Sequence, residues 1–295
     1  MGFRLLAIAA LFLSGCSSLM YQPYERLIMT PDMAGIIYEP VDFTASDGTK
    51  LKGWFIPAQK LTPPLKEGIL EGAKSVKMKT SRATVVHFHG NGENRSTHYA
   101  TLIWLIEHGY NLFTIDYRGY GGSEGKAEPE GVYRDGMAAI RWAKEHAPRG
   151  TDKKDLVMYG QSLGGAIMAR CFEDVVDRSR IKAVVLESTF YSYQKIAADV
   201  LSRSWITWIF QPLGYALISD VTSPEKSYAS ISPIPLLVIH GEKDNVVPFR
   251  FGQEIFRRAQ EPKTFWDIPR ARHLNVYAVE QTRYQSELLK YFDAL

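Results

Sequence analysis

Six short apolar runs, Ala83–His87, Asn111–Ile115, Leu156–Tyr159, Ile181–Leu186, Pro235–Ile239 and Thr264–Ile268, alternate along this chain with helical patterns. The helical patterns are Tyr99–Glu107, Gly131–His146, Gly165–Glu173, Phe251–Ala259 and Val276–Phe292. Short, mainly apolar runs suit strands buried on both faces, and their alternation with helices predicts a mainly parallel sheet with helices on both sides. Ligands bind such sheets at the carboxyl ends of the strands. Ahead of these runs, Ile37–Thr44 and Leu51–Ile56 flank the turn signal Ser46-Asp47-Gly48 and predict an antiparallel hairpin, making eight strands in all.

Two stretches break the rhythm. Pro57–Arg82 reads as a long polar connection, poorly packed in part, with a local excess of lysine expected to be solvated. The interval between Leu186 and Pro235 is far longer than one crossover helix requires, and it is rich in aromatic residues (Phe190, Tyr191, Tyr193, Trp205, Trp208, Phe210). It is expected as a small helical cap over about 190–230 that supplies an apolar pocket, or else as extra core packing.

Gly160-Gln161-Ser162-Leu163-Gly164 joins a strand to a helix. A serine at such a turn has its hydroxyl pushed out of the end of the sheet, and glycines two residues away on either side remove the Cβ atoms that would clash. The following helix N-terminus favours negative charge there. A serine hydroxyl still needs an adjacent base, itself held by an acid. Of seven histidines, His98, His108 and His146 fall in helical patterns and are expected at the surface. His87, His89 and His240 suit the shaping of turns. His273 follows the last strand on a loop that returns to the carboxyl edge, which makes it the candidate base. The acid should follow the preceding strand, where His240-Gly241-Glu242-Lys243-Asp244 offers Glu242 and Asp244; Asp244 is favoured because it lies further out on the loop. Asp116 is expected to be structural. For the oxyanion, the main-chain N–H of Leu163 and a donor at Asn91, in the glycine-flanked loop His87-Phe88-His89-Gly90-Asn91-Gly92, are the candidates.

The same loop raises a metal reading, since His87 and His89 are spaced by two. The further ligands of an H-x-H-x-D-H motif are missing, H-E-x-x-H does not occur, and no cysteine cluster exists, so no metal is expected. With 45% hydrophobic and 23% charged residues and a net charge of +3, nothing points to nucleic acid.

At the N-terminus, Arg4 precedes the nine-residue apolar run Leu5–Leu13 and then Ser14-Gly15-Cys16. The run is too short to span a bilayer and reads as an export signal. Leu13-Ser14-Gly15-Cys16 resembles the bacterial lipobox, which implies cleavage after residue 15, lipid on Cys16 and a tether over 16–35 ahead of the folded domain, 36–295. Ser17 after the cysteine implies the outer membrane, facing the periplasm, in a Gram-negative cell. Cys171 is then the one remaining cysteine, expected buried and unpaired.

Taken with the serine turn, the runs His87-Phe88-His89-Gly90-Asn91, Asp116-Tyr117-Arg118-Gly119-Tyr120-Gly121-Gly122-Ser123 and His240-Gly241-Glu242-Lys243-Asp244, followed by His273, resemble the α/β-hydrolase superfamily. Within it they are similar to the serine-aminopeptidase-like and BEM46-like lineage. The resemblance covers about residues 36–293 and agrees with the chain order Ser162, Asp244, His273. It implies an α/β-hydrolase fold and hydrolysis of esters, thioesters or amides through an acyl-enzyme, without cofactor. Acyl esters, including lipid-like ones, are the first expectation for the substrate. Peptides or amides are the second. A tethered binding factor whose triad is vestigial is the alternative from a different class.

Overall fold

The computed structural model describes residues 20–62 and 74–295. Cys16, the expected signal segment and the tip of the 57–82 connection therefore lie outside the described residues. The main sheet is built from β1 (Glu39–Thr44), β2 (Lys50–Ile56), β5 (Ala83–Phe88), β6 (Tyr110–Ile115), β7 (Leu156–Gln161), β8 (Ile181–Glu187), β9 (Leu236–Gly241) and β10 (Lys263–Ile268). Their order is β1-β2-β6-β5-β7-β8-β9-β10. β1 and β2 form an antiparallel hairpin, β2 is antiparallel to β6, and all remaining pairs are parallel. This is the eight-stranded, mainly parallel sheet the apolar runs predict.

Every residue of β5 to β9 in the main sheet is buried, whereas β10 at one edge is only partly covered and β1 at the other alternates. Side chains alternate across the strands and feed two cores. Val86, Met158, Val184 and Val238 face one side, while Val85, Val157, Val185 and Leu237 face the other. The helices include α1 (Pro129–His146), α2 (Leu163–Cys171), α3 (Tyr193–Ser202), α4 (Gln211–Leu217), α5 (Phe249–Arg258) and α6 (Gln281–Asp293). The chain lays β6 on one side of β5, then crosses to place β7 on the other. That reversal between β5 and β7 is the switch point where a parallel sheet opens a crevice at its strand ends.

Four expectations are corrected in detail. Tyr99–Glu107 is not one α-helix but a helical turn at Arg95–His98 followed by 3-10 stretches at Tyr99–Thr101 and Ile103–His108. Leu102 to Ile106 are all buried, so the segment has no polar face with which to sit as an amphipathic surface helix. The C-terminal pattern breaks at Glu280 (φ −141°, ψ 64°), which separates a turn at Val276–Val279 from α6. The polar connection holds β3 (Gln59–Thr62) paired antiparallel with β4 (Lys74–Met78). Its root is fixed where Ala58 N–H donates to Asn111 Oδ1 at 2.9 Å. Residues 20–35, read as part of a tether, lie against the body: Tyr21 is buried, and Asn94 Nδ2 donates to the carbonyls of Tyr24 and Arg26.

The interval after β8 folds as α3, a 3-10 turn at Trp208–Phe210, and α4. Ser192 caps α3, its Oγ accepting the N–H of Lys195 at 3.1 Å. Gly214 lets α4 approach α3, since a Cβ there would come within 2.8 Å of Ala198 N. Cys171 is buried and free.

Candidate active site

Ser162 occupies the turn between β7 and α2 with φ 49° and ψ −119°, a left-handed conformation that costs strain in a non-glycine residue. The flanking glycines make the turn possible. A Cβ on Gly160 would lie 2.5 Å from the Gly165 Cα, and one on Gly164 would overlap the Phe88 carbonyl. The turn is held by its own main chain: Ser162 N–H donates to the Glu187 carbonyl at 2.9 Å, and Thr189 Oγ1 donates to the Ser162 carbonyl at 2.6 Å.

The three residues predicted from distant loops meet here. Ser162 Oγ lies 3.1 Å from His273 Nε2, and His273 Nδ1 lies 2.8 Å from Asp244 Oδ2. The other oxygen of Asp244 accepts the N–H groups of Val246 and Val247, both at 2.9 Å, which fixes the aim of the carboxylate. Burial alone would raise the Asp244 pKa. The hydrogen bonds from His240 and His273 outweigh it and hold this carboxyl well below the usual range. Glu242, the other acidic candidate, is exposed and takes no part. With Asp244 ionised, the imidazole keeps its proton on Nδ1 and presents a bare Nε2 to the serine hydroxyl, the arrangement of a general base.

Asn91 and Leu163 both line the cavity in front of Ser162. The Asn91 side chain is tied at both its oxygen and its nitrogen. Its Oδ1 accepts from Gln22 N–H and the Tyr120 hydroxyl, each at 2.8 Å, and its Nδ2 donates to the Met20 carbonyl at 2.8 Å. What Asn91 can offer the cleft is therefore its main-chain N–H, with the side chain bracing the loop.

The histidines sort less simply than their positions suggest. His98 is not a surface residue: its ring stacks on that of His89 with centroids 5.4 Å apart, and its Nε2 lies 3.2 Å from the Gly92 carbonyl. It backs the Asn91 loop, and burial lowers its pKa. His87 and His89 are fully buried and point apart, His87 toward Thr114 and Gln161 and His89 toward the Gly90 carbonyl. Asp116 is buried against Arg95, which pairs with it through both main chain and guanidinium.

One residue of this site escaped the sequence reading. Glu187, at the end of β8, is fully buried, and its Oε2 accepts from the Tyr159 hydroxyl at 2.9 Å and Gln161 Nε2 at 2.8 Å. The Tyr159 hydroxyl also meets that of Tyr277 at 2.9 Å. Gln161 directly precedes Ser162, and Tyr277 follows the His273 loop, so this network ties the two sides of the site together. Burial raises the pKa of Glu187. The available signal was an acid directly after the apolar run Ala183–Leu186.

A cavity of about 750 Å³ opens on Ser162 and His273. Its walls come largely from the cap and include Phe190, Ile196, Phe210, Leu213 and Leu217. Phe190 and Tyr193 belong to the core as well, so the aromatic interval serves both as cap and as packing.

Residues 79–226 match the family described as serine aminopeptidase, S33. The Escherichia coli (strain K12) protein YfhR is 38% identical over 243 residues, covering 81% of this chain and 75% of the relative. The chain belongs to the S33 family of α/β-hydrolases. At lower similarity, the Arabidopsis thaliana alpha/beta hydrolase domain-containing protein WAV2 is 28% identical over 261 residues, 84% of this chain and 76% of that protein. Among solved structures, the Pyrococcus furiosus esterase Pf2001 superposes with a TM-score of 0.70 over 93% of this chain and 98% of its own at 23% identity, a likeness of fold. For this S33 hydrolase, the matched segment contains Asn91, Ser162 and Leu163 but ends before Asp244 and His273.

Proposed function

We propose that this hydrolase is a serine esterase or thioesterase acting on apolar acyl groups, with Ser162 as nucleophile, His273 as general base and acid, and Asp244 holding the imidazole. Ser162 Oγ attacks the acyl carbonyl carbon while its proton passes to His273 Nε2. The N–H groups of Leu163 and Asn91 receive the oxyanion. Collapse of the tetrahedral intermediate breaks the bond to the leaving oxygen or sulfur, which takes the proton from His273. Water then attacks the acyl-enzyme, giving its proton to His273, and the acid leaves as Ser162 is restored.

One observation carries the choice of substrate. The cavity wall beside Ser162 contains no aspartate, glutamate, lysine or arginine among the described residues. An aminopeptidase must hold the protonated amino group of its substrate, and an uncompensated charge in such a pocket is costly. An aliphatic acyl chain meets no such cost. The sequence further supports an envelope protein anchored through lipid on Cys16, at the outer membrane facing the periplasm in a Gram-negative cell.

Rates on p-nitrophenyl esters of graded chain length, set against aminoacyl anilides, test the substrate class. Medium-chain esters should be turned over fastest. Faster anilide cleavage would replace the esterase with the amidase reading, and a folded protein inert to both would favour a binding factor. Incorporation of labelled palmitate into the wild-type chain but not Cys16→Ser tests the anchor.

A further inference from the structure

The outer face of the cap remains unexplained by packing. Trp205, Ile206, Trp208 and Ile209 are 86%, 61%, 60% and 65% exposed, respectively. No charged residue occurs between Arg203 and Asp220. Next to these four, Phe210, Leu213 and Leu217 line the cavity. A patch of this kind, continuous with a pocket, marks an interaction site.

We infer that this face is a lipid-docking surface: Trp205, Ile206, Trp208 and Ile209 enter the bilayer interface and set the mouth of the acyl cavity against the membrane. Three observations favour lipid over other occupants. First, Met20 and Gln22 line the same cavity. Cys16 is four residues before Met20, so a lipid on it is joined to the cavity wall by at most about 14 Å of extended chain. An anchor there brings this side of the molecule, rather than its back, to the membrane. Second, tryptophan beside aliphatic side chains is the composition that settles at the boundary of headgroups and acyl chains. Third, much of the turn's backbone is already paired. Thr207 and Trp208 N–H donate to the Ser204 carbonyl, Phe210 N–H donates to that of Thr207, and Thr207 Oγ1 donates to the Leu201 carbonyl. Entry into an apolar phase leaves these groups paired. Among the described residues no helix is long and apolar enough to cross a membrane, so the cap would rest in the interface.

The inference rests on the lipid-anchored reading for its direction of approach, and the experiment separates the two. The full chain is mixed with vesicles of phosphatidylethanolamine and phosphatidylglycerol brominated in their acyl chains, and tryptophan emission is followed. Wild-type emission should be quenched, and Trp205→Phe with Trp208→Phe should lose most of that quenching while still sedimenting with vesicles. Cys16→Ser should need more lipid and then show the same quenching. In that background, Trp205→Ser, Ile206→Ser, Trp208→Ser and Ile209→Ser together should weaken partitioning by about a hundredfold. Wild-type protein that sediments with vesicles yet is not quenched overturns the docking surface and leaves the anchor standing. Equal lipid requirements for wild type and Cys16→Ser, with quenching intact, overturn the anchor and leave the surface. Absence of quenching together with a dimer that the serine substitutions dissociate would assign the face to a second copy and overturn the inference.

Discussion

Asp244→Asn keeps the size of the side chain and changes what His273 can do. In the native site, one oxygen of Asp244 accepts two N–H groups, from Val246 and Val247, and the other faces His273 Nδ1 at 2.8 Å. An asparagine carbonyl must stay on the two N–H donors. Turning the amide round would forfeit two hydrogen bonds of about 1 kcal/mol each and leave the donors facing an NH₂, a preference above roughly 30-fold. The amide NH₂ is then forced onto Nδ1, which must be bare to accept it, and the imidazole proton moves to Nε2. A protonated Nε2 cannot take the proton of Ser162. Loss of this tautomer in serine triads costs about 10⁴ in kcat, or about 5 kcal/mol. Steady-state turnover of a p-nitrophenyl ester by the variant, with its melting temperature measured alongside, gives the test. A folded Asp244→Asn retaining more than about a tenth of wild-type kcat would refute the reasoning.

Three further outcomes are expected. Glu187→Ala should lower kcat about 10- to 100-fold with little change in KM, because Gln161 and Tyr277 lose their shared tie beside Ser162 and His273, whereas Glu187→Gln should retain most activity; unchanged kcat in the alanine variant would sink a positioning role. Burial depresses the pKa of His87 to about 3 and also lowers those of His89 and His98. Below pH 6.5 the unfolded chain therefore binds protons that the folded chain does not, and for His87 stability falls from there down to about pH 3, by about 1.4 kcal/mol per pH unit. Melting temperature should drop between about pH 6.5 and 5.5 and hold steady just above that window, and His87→Gln should flatten the slope. Burial pushes the Cys171 thiol well up, so in a Cys16→Ser chain a thiol reagent should label it only on unfolding; rapid labelling of folded protein would contradict the buried environment.

Much of this architecture was legible because its signals are local. Apolar runs such as Leu156–Tyr159 and Ile181–Leu186 announce strands buried on both faces, and the glycines around Ser162 announce a turn that side chains would obstruct. Asp244 and His273 could be chosen because their loops follow consecutive strands of a parallel sheet and so reach the same edge. What sequence could not supply depends on tertiary neighbours. His98 sits in a helical pattern like any surface residue, and only the approach of the Gly92 loop and His89 buries it. Glu187 acquires its place from Tyr159 and Gln161 on the adjacent strand. Residues 20–35 have no strong pattern of their own, and the body supplies their partners, Ser96 Oγ accepting from Ile28 N–H and Asn91 from Gln22 N–H. The alternation of β3 is hidden among the lysines of its polar surroundings.

A fluorophosphonate probe followed by peptide mass mapping asks most directly whether position 162 is an activated nucleophile. Folded wild-type protein should carry one adduct, on Ser162, formed quickly in the wild type and slowed by orders of magnitude in His273→Ala. No adduct on folded protein, or an adduct at another residue, would contradict the hydrolytic mechanism.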